Sequence, residues 1–525
     1  MVLKKLYSKF LLVCSFSWLV TLCACGQQKT SNTFSGLAPP INITINVNQS
    51  FQTIDNFGAS DAWAFQFLGN WPEVKKQAIA NLLFSTDTTS SGQPKGIGLS
   101  LWRYNFGAGS TQQGIKSGIK DEWRRAESFL DTNGNYNFDK QSGQTWFLNA
   151  AKDRGVNQFL GFFNSPPVQF TKNGKAFSSD GSSNIDKKNF PAFTHYMAES
   201  LKGIRQKTGI LFDYISPVNE PQWDWKDGGQ EGNPYTNTEI YALVKNLNDT
   251  LNSQKLSTKI AVTEAGQLDY LIGKKDKPSR GNQTDAFFNQ KSPTFIGNLS
   301  NVKSVIDGHS YFTTSPYSNA VKIRKALHKK NSKNNIGYWM SEYCILGDND
   351  GEIDGSGRDF GITPALYLAR VIHNDLVNAN ASAWHWWTAV SAYDYKDGLI
   401  YINKNKNDGN YHESKMLWAL GNFSKFIRPG YQRIGVSSSA LSDDSKELLV
   451  SAYRNTKTKK IVAVVINLSA QPLAIKLNIN GAKVNTIKPY VTSSTANLAP
   501  KPSVSTATTI SIPPLSIVTL VGNNY

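Results

Sequence analysis

Two glutamates each close an apolar, strand-like run. The first stands in Ser216-Pro217-Val218-Asn219-Glu220-Pro221 and the second in Trp339-Met340-Ser341-Glu342-Tyr343. Pro221 cannot donate to a ladder of backbone hydrogen bonds, so it stops the strand and fixes the exit of the chain beside Glu220. Two carboxylates at the ends of different strands can flank one glycosidic bond. One attacks the anomeric carbon, while the other protonates the leaving oxygen and then activates water. A spacing of about 5–5.5 Å would give net retention of configuration. Taken singly, Asn-Glu-Pro reads equally well as a turn and a strand-end Glu as a surface residue, so the pair carries the case.

Something must hold that pair. Between about residues 50 and 425, short apolar runs alternate with helical patterns, as in parallel α/β folds. Eight candidate strands cover 54–60, 98–105, 158–165, 214–220, 259–264, 305–311, 337–343 and 381–388, with helical patterns such as 192–208 and 236–254 between them. Eight such units predict a (β/α)8 TIM barrel, whose catalytic groups gather at the C-terminal ends of the strands. After residue 425 the runs become short and alternating (447–453, 460–467, 473–479 and 508–521), which predicts an appended antiparallel β-sandwich side domain. The predicted organisation is an export segment at 1–24, a tether at 25–40, a strand at 41–50 that joins the side domain, the barrel at 51–425 and the sandwich at 426–525.

The first 24 residues read as an export signal. Lys4, Lys5 and Lys9 precede an apolar stretch too short to anchor in a bilayer, and Leu22-Cys23-Ala24-Cys25 resembles a bacterial lipobox with Cys25 as the lipidated residue. The protein is therefore expected to be exported and lipid-anchored to the cell envelope. Of the four cysteines only Cys344 lies in the predicted folded body, which leaves no internal disulfide network.

The 525 residues include 13 Trp, 12% aromatic residues and 18% charged residues. That composition excludes a disordered or collagen-like chain and allows a surface that stacks on flat rings. The formal charge is +17, yet no Lys/Arg-rich run or nucleic-acid motif accompanies it, so a solvated basic surface is expected and no nucleic-acid partner. The six His form no ligand-spaced cluster. Neither a metal nor a cofactor is expected, and a monomer is the simplest state.

Several stretches together resemble glycoside hydrolase family 30: Phe57-Gly58-Ala59-Ser60, Leu101-Trp102-Arg103-Tyr104-Asn105, Asn164-Ser165-Pro166-Pro167, Asn219-Glu220-Pro221, Gly308-His309-Ser310-Tyr311 and Ser341-Glu342. The resemblance runs from about Phe51 to the C-terminus. It implies a retaining hydrolase with Glu220 as acid/base and Glu342 as nucleophile. It also implies that Asn219 binds the sugar 2-hydroxyl, that Arg103 sits behind the nucleophile and that Tyr311 donates to Glu342. His309 is a further candidate for the substrate site, with a buried structural histidine as the alternative. Along the last strand, alternation sends Trp384 and Trp386 to one face and Trp387 to the other. Trp384 or Trp386 is expected to floor the subsite of the attacked sugar.

The run from Pro217 to Trp225 resembles the endo-β-1,6-galactanase branch of that family, which cuts side chains of arabinogalactan. Other branches carry Gln where Val218 stands. Trp223 and Trp225 follow Glu220 closely enough to line the leaving-group side. The alternatives are a glucuronoxylanase, a β-1,6-glucanase, an exo-β-glycosidase, or a surface glycan-binding lipoprotein without catalysis. A glucuronoxylanase would need a cationic clamp, for which Lys396 and Lys404 are available. The C-terminal domain has no Trp after Trp418 and reads as a structural brace.

Overall fold

In the computed structural model of the protein, residues 39–442 and 447–523 are described. The export segment, Cys25 and almost all of the tether lie outside the described residues.

The first strand, β1 (Ile41–Thr53), belongs to the side sheet. The barrel follows as β2 (Asn56–Ser60), β3 (Leu101–Phe106), β4 (Gln158–Phe163), β5 (Tyr214–Ser216), β6 (Lys259–Ala265), β7 (Val302–His309), β8 (Gly337–Tyr343) and β9 (Ala383–Ser391). Each pairs in parallel with the next, and β9 pairs with both β8 and β2, which closes the cylinder. Helices cover the outside, so both faces of the strands are dry. Every residue of β3 and β9 is buried, and apolar side chains dominate both strands.

The expected strands recur with shifted ends, and one shift matters. The fourth expected strand runs to Glu220, but β5 ends at Ser216, directly before Pro217. Glu220 therefore sits on the loop leaving the strand. The helix that follows this loop, Asn237–Ser253, is fixed by a capping box. Thr236 Oγ1 accepts from the Glu239 N–H, and the Glu239 carboxylate accepts from the Thr236 N–H at 2.8 Å. Such caps contribute about 1 kcal/mol, and this one anchors the far end of the loop that carries Glu220.

Beyond the barrel come β10 (Gly398–Ile402) and β11 (Tyr411–Glu413), which extend the barrel sheet beside β9. The side domain comprises β12 (Gln432–Ser437), β13 (Leu448–Asn455), β14 (Lys460–Asn467), β15 (Leu473–Asn480), β16 (Thr486–Thr492), β17 (Ala499–Pro500), β18 (Val504–Ser505), β19 (Ile510–Ile512) and β20 (Ser516–Asn523). With β1 they form one hydrogen-bonded path in the order β17-β16-β20-β14-β13-β12-β1-β15-β19, with β18 on β16. The sheet is antiparallel except where β1 runs parallel to β15. The run expected as a single strand at 508–521 is split into β19 and β20 by Pro513-Pro514, which cannot donate to a ladder.

Strand alternation builds two cores from one sheet. In β14, Ile461, Ala463 and Val465 point into the side domain's own core, while Val462, Val464 and Ile466 join the barrel's. Across that seam, Thr519 Oγ1 of β20 and Asn422 of helix Lys415–Ser424 exchange buried hydrogen bonds of 2.7 and 2.9 Å. Among the described residues no helix is long and apolar enough to cross a membrane.

Candidate active site

The strands of the barrel deliver five charged groups to one point at their C-terminal ends. Arg103 comes from β3, Glu264 from β6, His309 from β7 and Glu342 from β8, while Asn219-Glu220 comes from the loop after β5. Glu342 is held at both oxygens. Arg103 Nη1 donates to Oε2 at 2.6 Å and Tyr311 Oη to Oε1 at 3.1 Å. Arg103 Nη2 also donates to Asn219 Oδ1 at 3.1 Å, and the guanidinium lies 3.7 Å above the Phe162 ring. One arginine thereby orients the two neighbours of the reacting centre that the sequence singled out.

Across the cleft, Glu220 adopts a left-handed backbone (φ 43°) and its N–H donates to the Glu264 carbonyl at 2.8 Å. This conformation costs a non-glycine residue about 1–2 kcal/mol, and the hydrogen bonds around it hold it in place. One carboxylate oxygen of Glu220, one of Glu342 and a ring nitrogen of His309 lie within 4.8 Å of one another.

His309 is fully buried and does not touch the cleft. Its Nδ1 is 2.9 Å from Glu220 Oε1 and its Nε2 is 2.9 Å from Glu264 Oε2. Burial disfavours its charged form, but the Glu342 charge and the hydrogen bonds to Glu220 and Glu264 outweigh that and raise its pKa to about 10. A protonated imidazole donates from both nitrogens and has no lone pair for a cation. The Glu220, His309 and Glu342 trio is therefore a hydrogen-bonded charge cluster and a poor metal cradle.

The remaining groups follow from charge balance. Glu264 is buried among the positive charges; burial opposes its ionisation, but Arg103 and His309 hold its carboxyl down at about 2. Two cations thus face Glu264 and Glu342, and a further buried anion would be uncompensated. Glu220 is that third carboxyl. Burial raises its pKa against the lowering pull of His309, and the Glu342 charge raises it further. One carboxyl whose pKa is raised opposite one that is ion-paired is the division of labour an acid and a nucleophile need.

The open cleft above this floor has a volume of about 320 Å³. Trp223, Trp225, Gln230 and Phe312 form its wall on the Glu220 side, and Leu346 and Trp387 line it further round. Trp225 Nε1 donates to the Glu220 carbonyl at 3.0 Å, and Phe312 stands edge-on to Trp223 with 63% of its surface exposed. Gly232 and Gly266 let the two tryptophans lie against the backbone. A Cβ at either would come within 2.4–2.6 Å of the indole rings.

Of the residues singled out in the sequence, Arg103, Asn219, Glu220, His309, Tyr311 and Glu342 come together, and Trp223 and Trp225 stand over them. Trp384 and Trp386 do not. Both are fully buried on the outer face of β9, where Trp384 Nε1 donates to Asp375 Oδ2 and Trp386 Nε1 to the Asp397 carbonyl. Trp387, assigned above to the opposite face, is the one in the cleft. The alternation was read correctly and the face was reversed, because periodicity pairs residues without saying which side the helices cover. Glu264, Gln230 and Phe312 were missed. Glu264 ends an expected strand, and its position there was the available signal.

The sequence profile of O-glycosyl hydrolase family 30 matches residues 40–401. An endo-β-1,6-galactanase from Hypocrea rufa is 25% identical over 433 residues, covering 79% of this chain and 81% of that protein. A conserved exported protein from Bacteroides fragilis, known from its crystal structure, superposes with a TM-score of 0.84 at 34% identity, over 91% of this chain and 99% of that one. The catalytic domain of a family 30 xylanase from Talaromyces cellulolyticus superposes at 0.66 with 22% identity, over 92% and 100%, and supports the fold.

Proposed function

The chain belongs to O-glycosyl hydrolase family 30, and from that premise we propose that it cleaves β-1,6-galactan side chains of arabinogalactan by retaining double displacement. Glu342 attacks the anomeric carbon while Glu220 gives its proton to the leaving oxygen, forming a glycosyl ester on Glu342. Glu220, now ionised, takes a proton from water, which displaces the sugar from Glu342 and restores both groups. Asn219 is oriented by Arg103 to meet the sugar 2-hydroxyl, and Trp223 and Trp225 wall the leaving-group side. The observation that carries this reading is the approach of the Glu220 and Glu342 carboxylate oxygens to within 4.8 Å, near the spacing of retaining enzymes.

The galactan assignment rests on the relative from Hypocrea rufa and on the Trp223-Asp224-Trp225 wall. The glucuronoxylanase alternative draws less support, since both candidate clamp residues are engaged elsewhere. Lys396 Nζ donates to the carbonyls of Ser356 and Gly357, and Lys404 pairs with Asp121 at 2.5 Å. We read 51–425 as the catalytic unit, braced by the side domain, in a monomer exported and tethered through lipid on Cys25; the Leu22-Cys23-Ala24-Cys25 sequence supports the tether.

The test is reducing-end release from de-arabinosylated arabinogalactan, with glucuronoxylan and β-1,6-glucan alongside and Glu342→Gln as control. Galactose oligomers from the first polymer alone, with the β-anomer formed first by NMR, are the expected result. Activity confined to another polymer overturns the substrate, and an initial α-anomer overturns the mechanism. Binding without turnover on all three would favour a glycan-binding role.

A further inference from the structure

Glu264 touches neither the cleft nor any expected substrate atom, yet it is joined to Glu220 twice. Its carbonyl accepts the Glu220 N–H at 2.8 Å, and its carboxylate reaches Glu220 through His309, with 2.9 Å on each side of the ring. Ser341 Oγ donates to the same Glu264 oxygen at 2.5 Å, and Arg103 lies 3.4 Å from the other. We infer that Glu264 is a positioning residue that sets the direction of the catalytic proton on Glu220: by holding His309 as a two-sided donor, it occupies Glu220 Oε1 and leaves the proton on the oxygen that faces the cleft. The inference rests on the acid role proposed for Glu220.

The geometry makes the alternative definite. Replacing Glu264 removes one of the charges that hold the imidazole protonated beside Glu342, and the neutral form, with its hydrogen on Nε2, presents a lone pair at Nδ1. The Glu220 proton would then turn inward to that lone pair and be lost to the leaving oxygen. The other groups around the ring do not replace Glu264. Arg103 is cationic and already paired to Glu342. Asp307 on β7 has its pKa raised well above the ordinary carboxylate range, first by burial, which remains when Glu264 is replaced, and then by the Glu264 charge. His385 on β9 is held neutral by burial and by Arg103, at about 3. Burial likewise keeps the Tyr311 hydroxyl protonated. Glu342 stands 3.6 Å from Nδ1, on the side that faces Glu220.

The test compares Glu264→Gln with the parent on the polysaccharide and on an aryl β-glycoside of the same sugar carrying a nitrophenolate leaving group, which departs without a proton. The expected result is a fall in kcat/KM, which reports the first step, of about 100-fold on the polysaccharide and less than about fivefold on the aryl substrate. Because lower pH restores the imidazolium, the variant's optimum on the polysaccharide moves to lower pH. Ser341→Ala, which weakens the grip on Glu264 while leaving its charge, is expected to show the same leaving-group dependence at roughly a tenth of the size, and it decides the matter if Glu264→Gln does not fold. Equal loss on both substrates, or an unchanged pH optimum, overturns the inference. Glu220→Gln is run beside them. If it too loses kcat/KM, which reports the first step, equally on both substrates, the acid role itself fails; if only Glu220→Gln shows the leaving-group dependence, the role assigned to Glu264 fails alone.

Discussion

The floor of the cleft and its wall are built by opposite means. The floor is carried mainly on strands, and its charged side chains are almost entirely buried and matched cation to anion. The wall is carried on loops, with half-buried or exposed aromatics on left-handed backbone at Trp225 (φ 45°) and Phe312 (φ 57°). A buried charge set tolerates little change, since removing one partner leaves the other uncompensated at a cost of about 3–5 kcal/mol. An aromatic wall loses only the contact it makes. Floor substitutions are therefore predicted to strike kcat, and wall substitutions KM.

The largest effect belongs to Glu342. Glu342→Ala removes the nucleophile and is expected to lower kcat by about 10⁴-fold or more on every substrate. It also leaves Arg103 without its 2.6 Å partner, although Glu264 and Asn219 remain within reach. Initial rates alongside a thermal melt separate the chemistry from the fold. Residual activity above one part in about a thousand in a folded variant would break the assignment.

The next effect is a pH limb. Glu220 must be protonated in the first step, and burial, helped by the Glu342 charge, raises its pKa. Activity should therefore persist above the ordinary carboxylate range of about 4 and fall as pH rises through the raised value. In Glu220→Gln, assayed on an aryl glycoside that needs no acid, that limb should vanish from the first chemical step. A limb that stays in place would belong to another group.

The same contrast explains what the sequence revealed. Glu342 is legible because a charged side chain closing an apolar strand is conspicuous, whereas Arg103, in the middle of β3, stands out only through the family resemblance. Glu264 also stands at a strand end, but between Thr263 and Ala265 no turn or proline marks it, so that position is the single signal it offers. The wall was legible only where it adjoins Glu220 in the chain, at Trp223 and Trp225. Phe312 and Gln230 reach the cleft through loop conformations that no periodicity encodes. Trp387 was lost for another reason: alternation along β9 groups Trp384 with Trp386, but both faces of a barrel strand are buried, so hydrophobicity does not name the inner one.

On the wall, Trp225→Ala is expected to raise KM about tenfold on the polymer, as for loss of about 1.4 kcal/mol of stacking, with kcat within about threefold. The aryl glycoside, which occupies less of the leaving-group side, should be less affected. A large fall in kcat would instead mean that the Trp225 Nε1 bond to the Glu220 carbonyl shapes the acid, and the division between floor and wall would fail at that residue.

The smallest effect tests what holds the wall. Arg280 straps it from behind. Its Nη1 donates to the Gln222 carbonyl at 3.2 Å and to Asp224 Oδ1 at 3.1 Å, and its Nη2 to the Gly181 carbonyl at 2.6 Å. Arg280→Ala removes all three, while Lys277 still holds Asp224 at 3.0 Å. Asp224 is 41% exposed, so its ion pairs contribute little in water, and most of the loss comes from the two carbonyls that Arg280 satisfied. The wall should loosen without collapsing, and KM on the polymer should rise about threefold with kcat unchanged. If the strap acts by positioning Trp225, the threefold effect should disappear once Trp225 is already Ala, since coupled residues depart from additivity while independent ones do not. Additive KM effects in the double variant would place the strap's contribution in Trp223 or in the loop backbone.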